Sequence, residues 1–134
     1  MKKEIFEQYK KKSGTLIPFS LKKNIPFETK RIFLIYGNKN FTRGNHAHYK
    51  CSQYLVPILG KMEVEIENIK EKNRVVLDHK KKGGLLLKPK TWCKIKFINN
   101  NSILLVFCDK EYAYKDYIEN YKEFLKIIKK KIKK

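Results

Sequence analysis

Two histidines, His46 and His48, stand two positions apart in the segment TRGNHAHYK and are the residues best suited to carry chemistry. In an extended strand, side chains at i and i+2 point to the same face, with Cα atoms roughly 6.5 to 7 Å apart. Both imidazole rings can therefore reach one small target. That target is either one metal ion or two neighbouring carbon atoms of a bound sugar ring.

The residues just before this pair suit a binding site. Gly44 permits a backbone bend or a close approach, and Arg43 is placed to meet a phosphate or a developing oxyanion. The alternative is that His46 and His48 are ordinary polar residues at the start of a strand. The third histidine, His79, lies in the lysine-rich turn DHKKKGG, where we expect it to be exposed.

Short β-forming runs make up most of the chain and must position these residues. They recur about every ten residues, as in an antiparallel sandwich or barrel, and cover residues 31–36, 54–59, 62–69, 74–77, 85–87, 93–98 and 103–108. In MEVEIE, the side chains of Met62, Val64 and Ile66 alternate with glutamates, which indicates a strand with one buried face. Pro57 predicts an edge strand or a bulge in its run.

The hydrophobic period changes after residue 109. Apolar residues there follow the three- and four-residue spacing of one helix face, namely Tyr117, Ile118, Tyr121, Phe124, Leu125 and Ile128. We therefore predict a single domain over 1–134, with an all-β barrel over about 14–109 and an amphipathic α-helix over about 113–131. Residues 1–12 form an arm or a first strand.

The net charge of +19 is typical of nucleic-acid binders, but its composition disfavours that class. Only three of the 32 basic residues are arginines, whereas specific recognition of phosphates and bases relies on the bidentate arginine fork. The three cysteines show no CxxC spacing, which indicates neither a disulfide framework nor a zinc knuckle. No apolar segment has the length of a signal peptide or membrane span. We expect a cytoplasmic protein without nucleic-acid or membrane partners.

A set of short motifs in a fixed order extends this reading to a family. These are RGNHAH at 43–48, then Gln53, Leu55, Val56 and Gly60, the segment 84–89 with Trp92, then Tyr112, residues 116–118, Tyr121 and Phe124. In this order they resemble the WxcM-like nucleotide-sugar 3,4-ketoisomerases, small cupins that act on dTDP-4-keto-6-deoxyglucose. The resemblance implies a jelly-roll barrel, a homodimer in which N-terminal strands can be exchanged, and a cytoplasmic role in making deoxyamino sugars for surface glycans.

The resemblance also implies roles for particular residues. His46 and His48 match the acid/base pair of the family, and Arg43 matches the arginine before it. Metal-binding cupins follow the HxH motif with a glutamate, where this chain has Ser52, and add a later histidine, where it has Cys93. We therefore predict no metal and no other cofactor, with Cys93 as the one further ligand available if a metal binds.

The implied reaction moves a carbonyl from C4 to C3 of the sugar by proton transfer alone. One of His46 and His48 abstracts the C3 proton and the other relays or delivers a proton through an enediol intermediate, since imidazole exchanges protons near neutral pH. Further substrate contacts are predicted for Arg43, Tyr36 and Trp92. The alternatives are a nucleotide-sugar 3,5-epimerase and a non-catalytic nucleotide-sugar-binding cupin. The C4 configuration of the product, galacto or gluco, stays open.

Overall fold

Two five-stranded antiparallel sheets form the body of the protein. The computed structural model describes residues 3–132, with side chains over 5–129. The strands are β1 (Lys3–Ile5), β2 (Tyr9–Lys11), β3 (Gly14–Leu16), β4 (Arg31–Gly37), β5 (Thr42–His48), β6 (Gln53–Leu59), β7 (Lys61–Glu67), β8 (Lys72–Asp78), β9 (Gly83–Leu87), β10 (Trp92–Phe97), β11 (Ser102–Cys108) and β12 (Tyr117–Ile118), followed by the helix α1 (Tyr121–Ile132).

The strand order identifies the architecture. The first sheet runs β1-β9-β6-β11-β4 and the second runs β12-β5-β10-β7-β8, while β2 and β3 form a separate hairpin. Strands that are distant in sequence are thus neighbours in each sheet, and the two inner faces enclose the core. The predicted all-β jelly-roll barrel with a C-terminal helix is confirmed.

Alternation along the strands decides which side chains fill this core. Met62, Val64 and Ile66 of β7 are almost fully buried, as their spacing predicts, while the intervening glutamates face outward. On the paired strand β10, Ile95 and Phe97 join the same core cluster. Removing these side chains from water is the main stabilising contribution, on the order of 2 kcal/mol for each large apolar residue.

An edge strand, the first of the two alternatives for Pro57, is wrong. Its strand β6 lies between β9 and β11. The register with β11 shifts between Ile103, which pairs with Leu59, and Leu104, which pairs with Pro57, and this leaves Ile58 as an extra residue. The other alternative, a bulge, is therefore correct, because a bulge tolerates a residue that has no N–H to donate.

Both boundaries of the barrel differ from the prediction. On the N-terminal side, β1 pairs with β9, so the first sheet begins well before residue 14. On the C-terminal side, residues 114–118 form a 3-10 turn and the strand β12, and α1 begins at Tyr121 rather than near 113. Asn120 caps the helix by accepting a hydrogen bond from the Glu123 N–H at 3.0 Å.

The helix packs on the outer face of the second sheet. Its Phe124 and Ile128 form a buried cluster with Ala47 of β5 and Ile118 of β12. Ala47 faces outward, so its neighbours His46 and His48 face the interior of the barrel. No helix in the described part of the chain is long and apolar enough to cross a membrane.

Candidate active site

A β-bulge in β5 brings the predicted site residues to one face of the sheet. Cys93 of β10 pairs with His46 but Lys94 pairs with Gly44, so Asn45 is an extra residue. Gly44 and Asn45 have φ values of 90° and 60°, which suits the twist of a bulge. Arg43, which pairs with Ile95, therefore shares the inner face with His46.

Gly44 is required here for a second reason. A Cβ atom at this position would lie 2.7 Å from the carbonyl oxygen of Cys93 on the neighbouring strand. The sequence-based expectation of a backbone bend and a close approach at Gly44 is confirmed.

The two histidine rings lie together against a tyrosine. The ring centroids of His46 and His48 are 5.1 Å apart. Tyr117 of β12 pairs with His48, and its ring lies 5.0 Å from the first imidazole and 4.4 Å from the second. The two histidines that the sequence places on one strand face thus form one contact cluster in the folded chain.

Asp116 fixes the orientation of one of these rings. Its Oδ2 lies 3.3 Å from Nδ1 of His48, and its carboxylate accepts backbone N–H bonds from Lys50 at 2.9 Å and Cys51 at 3.1 Å. Because a carboxylate only accepts, the proton of the neutral His48 ring lies on Nδ1. Nε2 of His48 is then left with a free lone pair, as a general base requires.

Among the described residues, four buried side-chain polar atoms have no hydrogen-bond partner, and three of the four belong to residues that line one small cavity. They are His46 Nδ1, His48 Nε2 and Thr91 Oγ1. The cavity has a volume of about 10 Å³, room for one water-sized group, and is lined by His46, His48, Cys51, Gln53, Leu87, Lys88, Thr91 and Cys93. Buried polar groups are nearly always paired in proteins, so these atoms point to a ligand that pairs with them.

Burial keeps both imidazoles neutral at physiological pH. Burial, together with the nearby His48, lowers the pKa of His46 from 6.5 to about 4. The pKa of His48 is also lowered, since burial outweighs the opposing effect of Asp116. Two neutral imidazoles on one cavity can take a proton from a bound molecule and return one to it.

Two of the predicted substrate contacts lie elsewhere. Tyr36 is 70% exposed on the outer face of β4, because Phe33 and Ile35 occupy the inner face of that strand. Trp92 lies on the outer face of β10 and packs against Tyr121 and Phe124. Neither side chain lines the histidine cavity, and their assignment as substrate contacts stays a prediction.

The remaining histidine is less exposed than expected. Nδ1 of His79 accepts the backbone N–H of Gly60 at 3.0 Å. This bond gives His79 a local structural role at the turn between β6 and β7.

The cysteines are free thiols, and the group of residues able to hold a metal differs from the expected one. His48, Cys51 and Asp116 place one potential ligand atom each within 4.8 Å of one another. Cys93, the ligand left open by the sequence, is not part of this group, although it pairs with His46 across the strands. Its burial raises the pKa of the Cys93 thiol to about 12.

Several residues around the histidines carry no signal that sequence reasoning could have assigned. Asp116 and Tyr117 belong to a motif that supported the family resemblance, but only the pairing of β12 with β5 gives them a place. The guanidinium of Arg31 lies 4.8 Å from the ring centroid of Phe33 and 5.0 Å from that of Tyr112. Its charge contributes to the lowered pKa of His48.

Comparisons with known proteins show which family the chain is similar to. The model of the family "FdtA: WxcM-like, C-terminal" matches residues 1–129. TDP-4-oxo-6-deoxy-alpha-D-glucose-3,4-oxoisomerase from Aneurinibacillus thermoaerophilus is 32% identical over 118 residues, which cover 87% of this chain and 84% of that protein.

Solved structures show the same relationship. A 3,4-ketoisomerase from Helicobacter canadensis is similar with a TM-score of 0.89 and 31% identity, covering 96% of each chain. The sugar 3,4-ketoisomerase QdtA from Thermoanaerobacterium thermosaccharolyticum, solved in complex with TDP, gives a TM-score of 0.90 and 30% identity over 97% of this chain and 95% of that chain. The chain therefore belongs to the FdtA family of WxcM-like C-terminal proteins, as the order of its motifs predicts.

Proposed function

We propose that this protein is a nucleotide-sugar 3,4-ketoisomerase that converts dTDP-4-keto-6-deoxyglucose to a dTDP-3-keto-6-deoxyhexose. The observation that carries the proposal is the pair of neutral imidazoles that line one cavity and that each have a buried nitrogen without a partner among the described residues. Family membership supports the substrate class, because relatives are named for this activity on TDP-sugars.

Each step of the reaction is a transfer of a proton, so the imidazoles can supply the chemistry without a redox cofactor. One of His46 and His48 removes the proton on C3, next to the C4 ketone, and an enediol forms. The other histidine passes a proton between the two oxygens, and C4 then receives a proton to give the 3-keto sugar. Asp116 accepts a hydrogen bond from Nδ1 of His48 and so keeps the ring proton on that nitrogen. Nε2 of His48 is thereby left free to act on the substrate.

The negative charge of the substrate requires fixed cations. Arg43 lies on the inner face of β5 with the histidines and is exposed to solvent. We assign it to the oxyanion of the intermediate or to the diphosphate, in line with the geometry of guanidinium–anion pairs.

We also propose that the protein acts as a homodimer. The outer face of β4, at the end of its sheet, exposes Ile32, Leu34 and Tyr36 to 50%, 50% and 70%. Adjacent exposed apolar side chains on a sheet face are typical of an interface. Leu34→Glu should convert a dimer to a monomer in sedimentation velocity, while Val76→Glu, at an exposed apolar position on β8, should leave the dimer intact. Equal behaviour of the two variants would contradict this assignment.

The cellular role follows from the substrate. We propose a cytoplasmic enzyme that supplies keto sugars for the deoxyamino sugars of surface glycans. The three buried free thiols are consistent with a reducing compartment.

A proton NMR time course with dTDP-4-keto-6-deoxyglucose in deuterated buffer tests the reaction. We expect the carbonyl to move to C3 and deuterium to enter C4, and the couplings of the same product give its C4 configuration. A carbonyl that stays at C4 with deuterium at C3 and C5 would instead show a 3,5-epimerase. Binding without any exchange would show a non-catalytic cupin.

A further inference from the structure

A second group of potential ligand atoms adjoins the histidine cavity and shares His48 and Cys51 with its lining. A ring nitrogen of His48, the sulfur of Cys51 and a carboxylate oxygen of Asp116 lie within 4.8 Å of one another. His48 and Cys51 are 8% and 7% exposed, so the group is shielded from solvent. The proposed ketoisomerase reaction uses the histidine and the carboxylate but gives the thiol no role.

The loop after β5 holds these three side chains together. The Cys51 N–H donates to Asp116 Oδ2, the same oxygen that lies 3.3 Å from Nδ1 of His48. Cys51 is therefore tied to the carboxylate through its own backbone, and its sulfur sits beside it. In addition, the Cys51 thiol donates a hydrogen bond to the backbone carbonyl of Ser52 at 3.3 Å, which holds its sulfur within this loop.

The donor set selects the kind of ion. Imidazole nitrogen, cysteine sulfur and carboxylate oxygen are the ligands of tetrahedral Zn²⁺, whereas Mg²⁺ and Ca²⁺ require oxygen ligands throughout. An Asp carboxylate and a Cys thiolate together balance the charge of a divalent cation, which lowers the cost of burying it. We propose that His48, Cys51 and Asp116 form a Zn²⁺ site that competes with catalysis.

The geometry requires only a small adjustment. In a tetrahedral zinc site, neighbouring ligand atoms lie about 3.4 to 3.6 Å apart, given the usual Zn–N, Zn–O and Zn–S bond lengths. His48 Nδ1 and Asp116 Oδ2 are already 3.3 Å apart. Since the three ligand atoms lie within 4.8 Å of one another, the sulfur of Cys51 must approach by at most about 1.4 Å, which a rotation of its side chain supplies.

The inhibitory part of this inference rests on the proposed function. A Zn²⁺ ion on Nδ1 of His48 takes the place of the proton that the Asp116 carboxylate holds there. The ring then carries a cation on one nitrogen and becomes a much weaker base at the other. Zinc binding would thus switch off proton transfer by His48.

Titration of the fully reduced, metal-free protein with Co²⁺ tests the site without reference to activity. We expect one equivalent of Co²⁺ to produce a near-ultraviolet thiolate-to-cobalt charge-transfer band, which Zn²⁺ removes by displacement. Cys51→Ser should abolish the band. Asp116→Asn should weaken Co²⁺ binding by at least about tenfold, since loss of even an outer-shell partner has such an effect.

Cys93→Ser is the matched control, because Cys93 is another buried thiol beside the histidines but outside the ligand group. The thiolate-to-cobalt charge-transfer band should persist in Cys93→Ser. Circular dichroism of each variant establishes that it is folded, and Cys51→Ala gives a second test should the serine variant unfold. A band that survives in both Cys51 variants, or that disappears in Cys93→Ser, would overturn the site.

The NMR exchange assay then tests the inhibition. Saturating Zn²⁺ should slow exchange by the wild-type protein about 10²-fold or more, the contribution of one acid/base group, and should leave the rate of Cys51→Ser within about twofold of its own metal-free rate. Zinc that binds without slowing wild-type exchange would overturn the inhibitory role. Wild-type protein that exchanges nothing even without zinc, yet shows the cobalt band, would contradict the proposed function and leave the metal site standing.

Discussion

The second sheet has a groove on its outer face and a small cavity on its inner face. The groove is the larger of the two, whereas the cavity holds the residues suited to acid/base chemistry. The outer groove, lined by residues of β7, β8, β10 and α1, has a volume of about 780 Å³ and contains Trp92, Arg74 and two glutamates. The inner cavity beside His46 and His48 has room for about 10 Å³. By size alone, the groove would be the substrate site.

Hydrogen bonding instead favours the inner cavity as the substrate site. In the groove, Arg74 pairs with Glu65 at 3.3 Å and Tyr121 donates to Glu67 at 2.5 Å. In the cavity, nitrogens of both histidines and the hydroxyl of Thr91 have no partner within the described chain. Unmet hydrogen-bonding capacity in a buried place, rather than volume, therefore marks where a ligand is expected.

The largest effect that separates the two concavities is expected from the histidines. His46→Asn and His48→Asn should each lower kcat for carbonyl migration by about 10² to 10⁴-fold, the usual contribution of an acid/base group. The NMR time course measures this rate. Glu65→Gln in the groove is the control and should keep the wild-type rate within about twofold, and comparable losses in all three variants would remove the distinction.

Asp116→Asn should lower kcat by about 10²-fold with little change in KM, because an amide no longer fixes the proton on Nδ1 of His48. Since Asp116 raises the pKa of His48, the acidic limb of the pH profile should also move to lower pH in this variant. A purely structural role for Asp116 would leave that limb in place, so the pH dependence of kcat decides between a positioning and a structural role.

Burial of His46 beside the inner cavity should also make the free energy of unfolding depend on pH. His46 has a folded pKa of about 4 and an unfolded value of 6.5, so the unfolded chain binds more protons between these values. Its contribution to the free energy of unfolding is intact above pH 6.5 and is lost as the pH falls to about 4. At about 1.4 kcal/mol per pKa unit, the loss is on the order of 3 kcal/mol.

Urea unfolding of the wild type and His46→Gln at pH 7, 6, 5 and 4 measures this term as a difference, in which titrations common to both proteins cancel. The wild-type free energy should fall more steeply across this range. Parallel curves for the two proteins would show that His46 is not desolvated in the folded state.

The smallest effect is expected in the groove. Arg74 forms ion pairs with Glu63 and Glu65 on an exposed sheet face. Such pairs contribute about 0.2 to 1 kcal/mol, so Arg74→Ala should lower the free energy of unfolding by no more than that and leave kcat within about twofold. A large loss of turnover in Arg74→Ala would return the groove to consideration as a substrate site.

The sequence predicts those parts of the molecule that depend on short periods. The buried face of β7 and the juxtaposition of the two histidine rings follow from spacings of two residues. The bulge at Pro57 is one of the two alternatives that a proline within a strand allows. Arg43 lies three residues before His46, so simple alternation would place the two on opposite faces. Only the extra residue Asn45 brings them together, and no sequence pattern announces that bulge.

The other residues were not placed by the sequence for one of two reasons. Either their strand shows no alternation of polar and apolar residues, or their contact joins residues that are far apart in the chain. The run RIFLIY is apolar or aromatic at five consecutive positions, so nothing in it tells that Tyr36 faces outward. Trp92 packs against α1, which a single strand cannot reveal. Asp116 is 68 residues from His48, and the two-residue strand β12 that carries its neighbour Tyr117 is too short to be read within a helix-like period.

The pairing of β12 with β5 also sets the order in which the site can be completed during synthesis. A ribosome releases the N-terminal part of a chain first, so His46 and His48 emerge long before Asp116 and Tyr117. Pairing β12 with β5 closes a long loop, because the two strands are far apart in the sequence. Closing this loop is an entropically costly late step in folding. A nascent chain that ends before β12 would hold both imidazoles but lack the carboxylate that orients one of them. Activity is thus withheld until nearly the whole barrel has been made.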